Sequence, residues 1–537
     1  MATANCADEL IGLLLSLSVH HPGAPMVCFV DADTKEKIQQ LSAPLRLQLH
    51  LFEELAPYAG KNRQQMEAEG IFKRFTIVKA DVIERALELY PDTMFLDSDI
   101  LVCAPIDGID RTKQLGLSPH YIRKRDTDKF GYYNAGVLWT NNKGLPAKWR
   151  ELVPTSRFFE QGCMEQLPDF FPTFDFPIQY NMSWWRLHQA DEPASKIATY
   201  FTPGKGVIYY NDSPIRFVHT HFITGKIDVY IDTFNSLIKQ LMTAAHMYKE
   251  LTIIGRITNQ KWRIHIPKQP LPYPWEHPND SFREETLLLY KKNADVDVVH
   301  DNVHNLVLEP TVMLYDRDTM RWFVPQTMQG ITKVYLGNCD AEGDAALVRQ
   351  AGFEVSPWIY WARRPIFLEH LLAKGGGGKG YTERSVESVF IGNFENAVQQ
   401  QFRTSDDWGK YVQEFHLTGG TKHKFSPMQY LEKLAEARFG LCLRGYGVKC
   451  HREVELMAFG TVPIVTPYVN TTAYQEPLVE GVHYVRANTP EEIPRVLAAV
   501  TPEQWTVMSA NCKSWYMRNV HSDNMWRTFM GRLLYDN

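Results

Sequence analysis

Phe95-Leu96-Asp97-Ser98-Asp99-Ile100-Leu101-Val102 joins two apolar runs through a pair of carboxylates one residue apart. As a strand it would deliver Asp97 and Asp99 to one side, because side chains alternate with period two. Two hard oxygen ligands at a strand end suit Mg²⁺ or Mn²⁺ that also takes phosphate oxygens from a substrate. A turn between strands accounts for the same residues, since Asp and Ser favour turns. The surroundings point to the fold. Residues 71–90 are amphipathic and helical in character, and 93–102 return to strand. Earlier, 9–20 has helical spacing, 25–31 (PMVCFVD) is an apolar run of strand length, and only a very short strand fits before them. This alternation predicts an α/β domain with a largely parallel, Rossmann-like sheet. Ligands in such sheets bind at the carboxyl ends of strands, where Asp97 and Asp99 fall.

At 537 residues the chain exceeds one ordinary core, so two or three domains are expected. Hydrophobic content of 44%, charged content of 22% and a net charge of −5 describe a soluble protein with no basic excess to attract nucleic acid or an anionic membrane. The cysteines (Cys6, Cys28, Cys103, Cys163, Cys339, Cys442, Cys450, Cys512) form no Cys-x-x-Cys pair, which argues against a zinc knuckle or disulfide scaffold and fits a reducing cytosol. Residues 10–19 are apolar but short and follow Asp8 and Glu9, so they read as a buried helix and not as a signal peptide or anchor. No later window is apolar for long enough to span a bilayer. A soluble, cytoplasmic protein is the expectation.

Between 261 and 285 the texture changes, with Trp262, Pro267, Pro270, Pro272, Pro274, Trp275 and Pro278 close together. Such proline density suits a crossover between domains, and 256–285 is read as a linker. A second α/β pattern follows, with strands expected at 297–299, 311–315, 333–336 and 389–391. The glycine-rich run 374–380 is a mobile connector or a phosphate-sensing loop, although no Ser or Thr follows its Gly-Lys pair as a phosphate loop requires.

Three segments join the Asp-Ser-Asp triplet: Tyr132-Tyr133-Asn134-Ala135-Gly136-Val137-Leu138-Trp139, then Phe159-Glu160-Gln161-Gly162 followed by Phe176-Pro177-Ile178-Gln179-Tyr180-Asn181, then Val218-His219-Thr220-His221-Phe222-Ile223-Thr224-Gly225-Lys226. Their order and spacing resemble the family 8 glycosyltransferases and their GT-A relatives over residues 1–255. The resemblance implies that Asp97, Asp99 and His221 hold Mn²⁺ (or Mg²⁺) on a nucleotide-diphosphate sugar, with uridine diphosphate sugars favoured. It places Asn134 and Ala135 against the sugar, Gln161 opposite the leaving diphosphate, and Glu160 on sugar hydroxyls. Glu160 and Gln161 also fit the first turn of a helix, where Glu is favoured by the dipole. Lys79 either meets a phosphate or is solvated. His219 shares a strand face with His221, so both can line the site. Lys226-Ile227-Asp228 departs from the family's Lys-Pro-Trp, although Lys226 is still matched to the donor site.

Residues 439–465 give a second signal: a buried strand, a glycine-rich turn, a helix starting near His451 and a strand from Thr461. A strand-to-helix turn of this kind offers backbone N–H groups and a positive dipole end to an anion. Arg444, Lys449 and Arg452 can neutralise a diphosphate there without metal. Glu455 lies one turn after His451 and can clamp ribose hydroxyls. Arg444/Gly445/Gly447, then Arg452/Glu455, then Phe459/Gly460/Pro463 resemble the donor-binding half of the exostosin-like (family 47) GT-B glycosyltransferases. The earlier Phe390-Ile391-Gly392-Asn393 with Arg403 resembles the strand that opens that half. The resemblance implies a donor-binding subdomain over 386–537 and an acceptor-side subdomain over 286–385, where His300, Asp301 and His304 are candidate bases or exposed loop residues.

The two resemblances together imply a bifunctional glycosyltransferase acting on a glycan or oligosaccharide acceptor, metal-dependent and retaining in the first module, metal-independent and inverting in the second. The alternative is one active module with the other binding glycan or acting as a scaffold. A nucleotidyltransferase would carry a glycine-rich nucleotide loop near the N-terminus, and residues 1–15 have none.

Overall fold

The computed structural model describes residues 1–41, 45–222, 228–258, 262–265, 296–299, 311–315, 331–336, 343–357, 362, 364–420, 424–445, 447–472, 474, 476–525, 528, 531 and 534–535. The contacts divide the chain into two compact units, Met1–Gln260 with Leu533–Asn537, and Lys261–Arg532. Among the described residues, no helix is long and apolar enough to cross a membrane.

The first unit is built around the Ala7–His20 helix, whose Leu10, Ile11, Leu13, Leu14, Leu15 and Leu17 are all buried. A helix apolar on every side must be covered on every side. It packs against the Tyr248–Ile257 helix and the Ile100–Val102 strand. Gly12 permits this approach, because a Cβ there would stand 2.2 Å from Ile257 Cδ1. The hydroxyl of Ser16, buried in the same helix, accepts from the Val102 N–H at 3.1 Å and donates to the Leu13 carbonyl at 3.0 Å. The Phe72–Leu89 helix is amphipathic, and its inward face carries Thr76, Val78, Lys79, Ala80, Val82, Ile83, Ala86 and Leu87.

The apolar run around the triplet is two strands in two different sheets. Thr93–Leu96 pairs antiparallel with Tyr133–Thr140, which pairs antiparallel with Leu115–Pro119, which pairs parallel with Thr173–Asp175. Ile100–Val102 pairs antiparallel with Phe217–His219, which also pairs parallel with Met182–Ser183. The α/β class holds, but the first unit's ladders are mixed instead of largely parallel. Alternating helix and strand signals carry no information on strand direction, and the segment with the Lys124–Phe130 helix returns Tyr133–Thr140 antiparallel beside Leu115–Pro119.

The second unit contains two five-stranded parallel sheets. One runs Val296–Val299, Trp262–His265, Thr311–Tyr315, Ile331–Leu336, Glu354–Pro357; the other runs Glu414–Gly419, Val386–Phe394, Ala437–Cys442, Val462–Val465, Val485–Arg486. Every ladder in both is parallel. In each, counted in chain order, the strands lie 2-1-3-4-5, a doubly wound order with a switch point beside the first strand. The strands expected near 297–299, 311–315, 333–336 and 389–391 are all present. Trp262–His265, inside the stretch read as linker, is a strand paired on both sides. Buried Phe390, Phe439, Leu441, Val462 and Ile464 form the core of the second sheet.

Candidate metal centre and guanidinium pocket

Asp97-Ser98-Asp99 is the turn between two of the first unit's sheets, so the two carboxylates do not share one strand face. The Asp97 N–H donates to the Gly136 carbonyl at 2.9 Å, extending the first sheet. The Asp99 carbonyl accepts from the Thr220 N–H at 2.9 Å and its hydroxyl at 3.1 Å, extending the second. The carboxylates therefore meet different partners.

Asp97 faces Lys79, whose ammonium lies 2.9 Å from Asp97 Oδ1 and 3.1 Å from Glu160 Oε1. Burial alone would lower the Lys79 pKa, but Asp97 and Glu160 outweigh it and raise it. Lys79 is not solvated, and on the buried face of its helix it needs these partners. Asp99 faces two imidazoles: Oδ1 is 2.9 Å from His219 Nε2 and Oδ2 is 2.6 Å from His221 Nδ1. Burial would raise the Asp99 carboxyl, but the two histidines hold it well below its usual range. Ligand atoms of Asp99, His219 and His221 lie within 4.8 Å of one another, a donor set that suits a divalent cation. The imidazole rings stack with centroids 4.7 Å apart, and Trp185 packs edge-on 5.1 Å from His219.

Gly136 lies against Asp97, Asn134 and His219. A Cβ there would lie 2.7 Å from His219 Cε1, 2.8 Å from Asn134 Oδ1 and 2.9 Å from Asp97 Oδ2, so only glycine fits. The backbone is strained beside the site, with φ of +45° at His221 and +41° at Phe159, which precedes Glu160. Glu160 and Gln161 lie in a turn ahead of the short Met164–Asp169 3₁₀ helix. Gln161 Oε1 accepts from the Ala135 N–H and from Asn134 Nδ2, both at 3.1 Å. The structure thus gathers Lys79, Asp97, Asp99, Asn134, Ala135, Glu160, Gln161 and His221 around one buried site; Lys226 lies outside the described residues.

In the second unit, the glycine-rich turn lies at the switch point of the Val386–Phe394 sheet. Arg403 joins the two strand ends there, donating Nε–H to the Arg444 carbonyl at 3.1 Å and Nη1–H to the Asn393 carbonyl. Arg452 donates Nη2–H to the Ile391 carbonyl at 2.7 Å and lies over the Phe390 ring. Its Nε and Nη1, and Nε of Arg444, are buried with no hydrogen-bond partner among the described residues. Burial, reinforced by Arg452, lowers the Arg403 pKa to about 10. A Cβ on Gly445 would stand 2.7 Å from Cys450 Sγ, which explains the glycine. Gly447 is buried in the same turn. Lys449 lies 5.0 Å from the Tyr474 ring centre, and Glu455 accepts from the Tyr430 hydroxyl at 2.6 Å. His300, Asp301 and His304 lie outside the described residues.

Sequence reasoning left two residues of the first site unassigned. Asn181 is fully buried between His219 and Asn134, and His120 is buried behind Asn134. Asn181 closes one of the quoted segments without a role of its own there, and no local pattern marks His120; only folding joins them to the triplet.

No protein-family model matches the chain, and no curated protein matches it. Among solved structures it is similar to mouse xyloside xylosyltransferase 1 in its apo form, at 11% identity and a TM-score of 0.26, over 41% of this chain and 93% of that one. It is similar to the glycosyltransferase GlyE of Streptococcus pneumoniae TIGR4, at 10% identity and a TM-score of 0.26, over 94% of this chain and 97% of that one. A DNA-modifying beta-glucosyltransferase, crystallised with and without uridine diphosphoglucose, aligns at 11% identity and a TM-score of 0.30 over 51% of this chain and 99% of that one. Likenesses this remote carry no conclusion about activity.

Proposed function

We propose that the protein is a bifunctional glycosyltransferase that moves sugars from nucleotide-diphosphate donors, uridine diphosphate sugars foremost, to a glycan acceptor. The first module, residues 1–255, is metal-dependent and retaining. The second, with an acceptor side over 286–385 that also takes in the Trp262–His265 strand and a donor side over 386–537, is metal-independent and inverting. The observation that carries this reading is the convergence of Asp99, His219 and His221 beside Gly136 and the Asn134–Gln161 pair.

Asp99, His221 and Asp97 would hold the cation, and imidazole among carboxylates favours Mn²⁺ over Mg²⁺. A bound divalent cation supplies charge stabilisation to a departing diphosphate without proton transfer. The chain's own groups do the positioning. Lys79 fixes Asp97 and Glu160, and Gln161 is held by Asn134 and the Ala135 N–H, so neither needs to reorganise when a sugar arrives. In the second module the guanidinium nitrogens of Arg452 and Arg444 that lack a partner among the described residues await an anion, and charge-assisted hydrogen bonds to a diphosphate would satisfy them. Glu455 is positioned by Tyr430 to accept from ribose hydroxyls.

Hydrolysis of a panel of sugar nucleotides, with and without Mn²⁺, tests the reading. Asp99→Asn should cut the Mn²⁺-dependent activity on the order of 10²–10³-fold and leave the metal-independent one intact. Arg452→Ala should do the reverse. A single activity, lost in only one variant, would leave one catalytic module and one scaffold.

A further inference from the structure

Hydrogen bonds around the first site fix the amides of Gln161, Asn134 and Asn181 and the rings of His120 and His219. A carbonyl oxygen only accepts, so Gln161 Nε2, 2.8 Å from the Phe130 carbonyl, donates to it. Gln161 Oε1 is then the acceptor for the Ala135 N–H and for Asn134 Nδ2. Asn134 Oδ1 accepts the Gly136 N–H at 2.9 Å and Asn181 Nδ2 at 2.8 Å. A second anchor gives the same orientation: His120 Nδ1 lies 2.8 Å from the Gly131 carbonyl and must donate, which leaves His120 Nε2 to accept from Asn134 Nδ2 at 3.4 Å. With its amide nitrogen committed to Asn134, Asn181 turns Oδ1 toward His219 Nδ1 at 3.1 Å. His219 must therefore carry a proton on Nδ1. Its Nε2 faces Asp99 Oδ1 at 2.9 Å. An imidazole lone pair and a carboxylate oxygen repel at that distance unless a proton or a cation lies between them.

We propose that Asn181 is a positioning residue for the divalent-cation site: it locks His219 as the Nδ1–H tautomer and so makes His219 Nε2 a metal ligand beside Asp99 and His221. The inference rests on the metal reading proposed above. Metal-ligating histidines as a rule donate their other ring N–H to an oxygen that fixes tautomer and ring plane. Asn181 is well built for this. It is 0% exposed, its carbonyl accepts from Arg186 Nε at 2.5 Å, and Ser183 in the adjoining strand donates its hydroxyl to the His219 carbonyl at 3.0 Å. Two imidazoles would then flank Asp99, one held from a strand by Asn181 and the other by the strained backbone at His221.

The test uses the intact protein and Mn²⁺ alone. Electron spin echo spectroscopy of the Mn²⁺-loaded protein should show two coordinated imidazole nitrogens, with His221→Ala retaining the one from His219. Asn181→Ala should weaken Mn²⁺ binding by about 10–100-fold and lose one nitrogen coupling, while its melting temperature without metal shows that it is folded. Wild-type affinity and two couplings in Asn181→Ala would overturn the role of Asn181. A single coupling in the wild-type protein would overturn His219 as a ligand, even if Asn181→Ala does not fold. No Mn²⁺ binding by the wild-type protein would instead sink the metal reading itself, and this inference with it.

Discussion

At the first unit's site Lys79 meets two carboxylates and Asp99 two imidazoles, whereas in the second unit's pocket Arg452 meets a backbone carbonyl and an aromatic ring. Lys79 lies between Asp97 and Glu160, and Asp99 between His219 and His221. Arg452 has a carbonyl and an aromatic ring for partners but no hydrogen bond at Nε or Nη1 among the described residues, and Arg403 is a second cation beside it. The difference teaches how each site would handle a diphosphate. A fully paired site is rigid before ligand arrives and needs an added cation to gain affinity for an anion. A pocket with guanidinium N–H groups that lack hydrogen bonds among the described residues keeps donors ready for an anion.

The largest effect should come from unpairing the first site. Lys79→Met strands the buried Glu160 carboxylate and the half-buried Asp97 and is expected to cost about 3–5 kcal/mol, read as a loss of stability in denaturant titration of the first unit. Arg452→Met should cost less stability than Lys79→Met, because its hydrogen bond runs to the Ile391 carbonyl and not to a carboxylate, while calorimetric affinity for a nucleoside diphosphate falls. If both variants destabilise equally, the contrast between the sites is wrong. Gly136→Ala sharpens the comparison from within the first site. Its Cβ would press on His219, Asn134 and Asp97 together, at an expected overpacking cost of about 1–3 kcal/mol and with weaker Mn²⁺ binding.

The smallest effects are pH slopes of opposite sign. Burial lowers His120 from 6.5 to about 4, so its folded form is neutral. Its contribution is present above pH 6.5 and is lost as pH falls toward 4. Burial raises Glu453 from 4.5 to about 7, against the opposing pull of Arg452. Its contribution is present below pH 4.5 and is lost as pH rises through 7. Melting curves should show His120→Gln gaining on the wild-type protein in acid and Glu453→Gln gaining toward neutral pH; parallel curves would remove that distinction.

Much of this architecture was legible locally. Apolar spacing marked the Ala7–His20 and Phe72–Leu89 helices, and compact apolar runs marked the second unit's strands. The glycine-rich turn and the His451–Phe459 helix lie where residues 439–465 implied. Period-two alternation misled at Asp97 and Asp99, because the chain turns between them and enters a different ladder. The burial of Lys79 was also readable, since it shares a helix face with Thr76, Ile83 and Leu87. Asn181 was not. Its partners lie 38 and 47 residues away in sequence, and only the folded chain brings them together.

The strand Trp262–His265 bears on where this chain can be cut. It is the strand to which both Val296–Val299 and Thr311–Tyr315 pair. A fragment beginning at residue 286 would therefore leave two strand edges bare in the middle of a sheet, an invitation to aggregate. A fragment beginning at Lys261, where the second unit begins, keeps the sheet closed. Attempts to express the second unit alone should succeed or fail on those 25 residues, a proline-rich stretch that composition alone would mark as expendable.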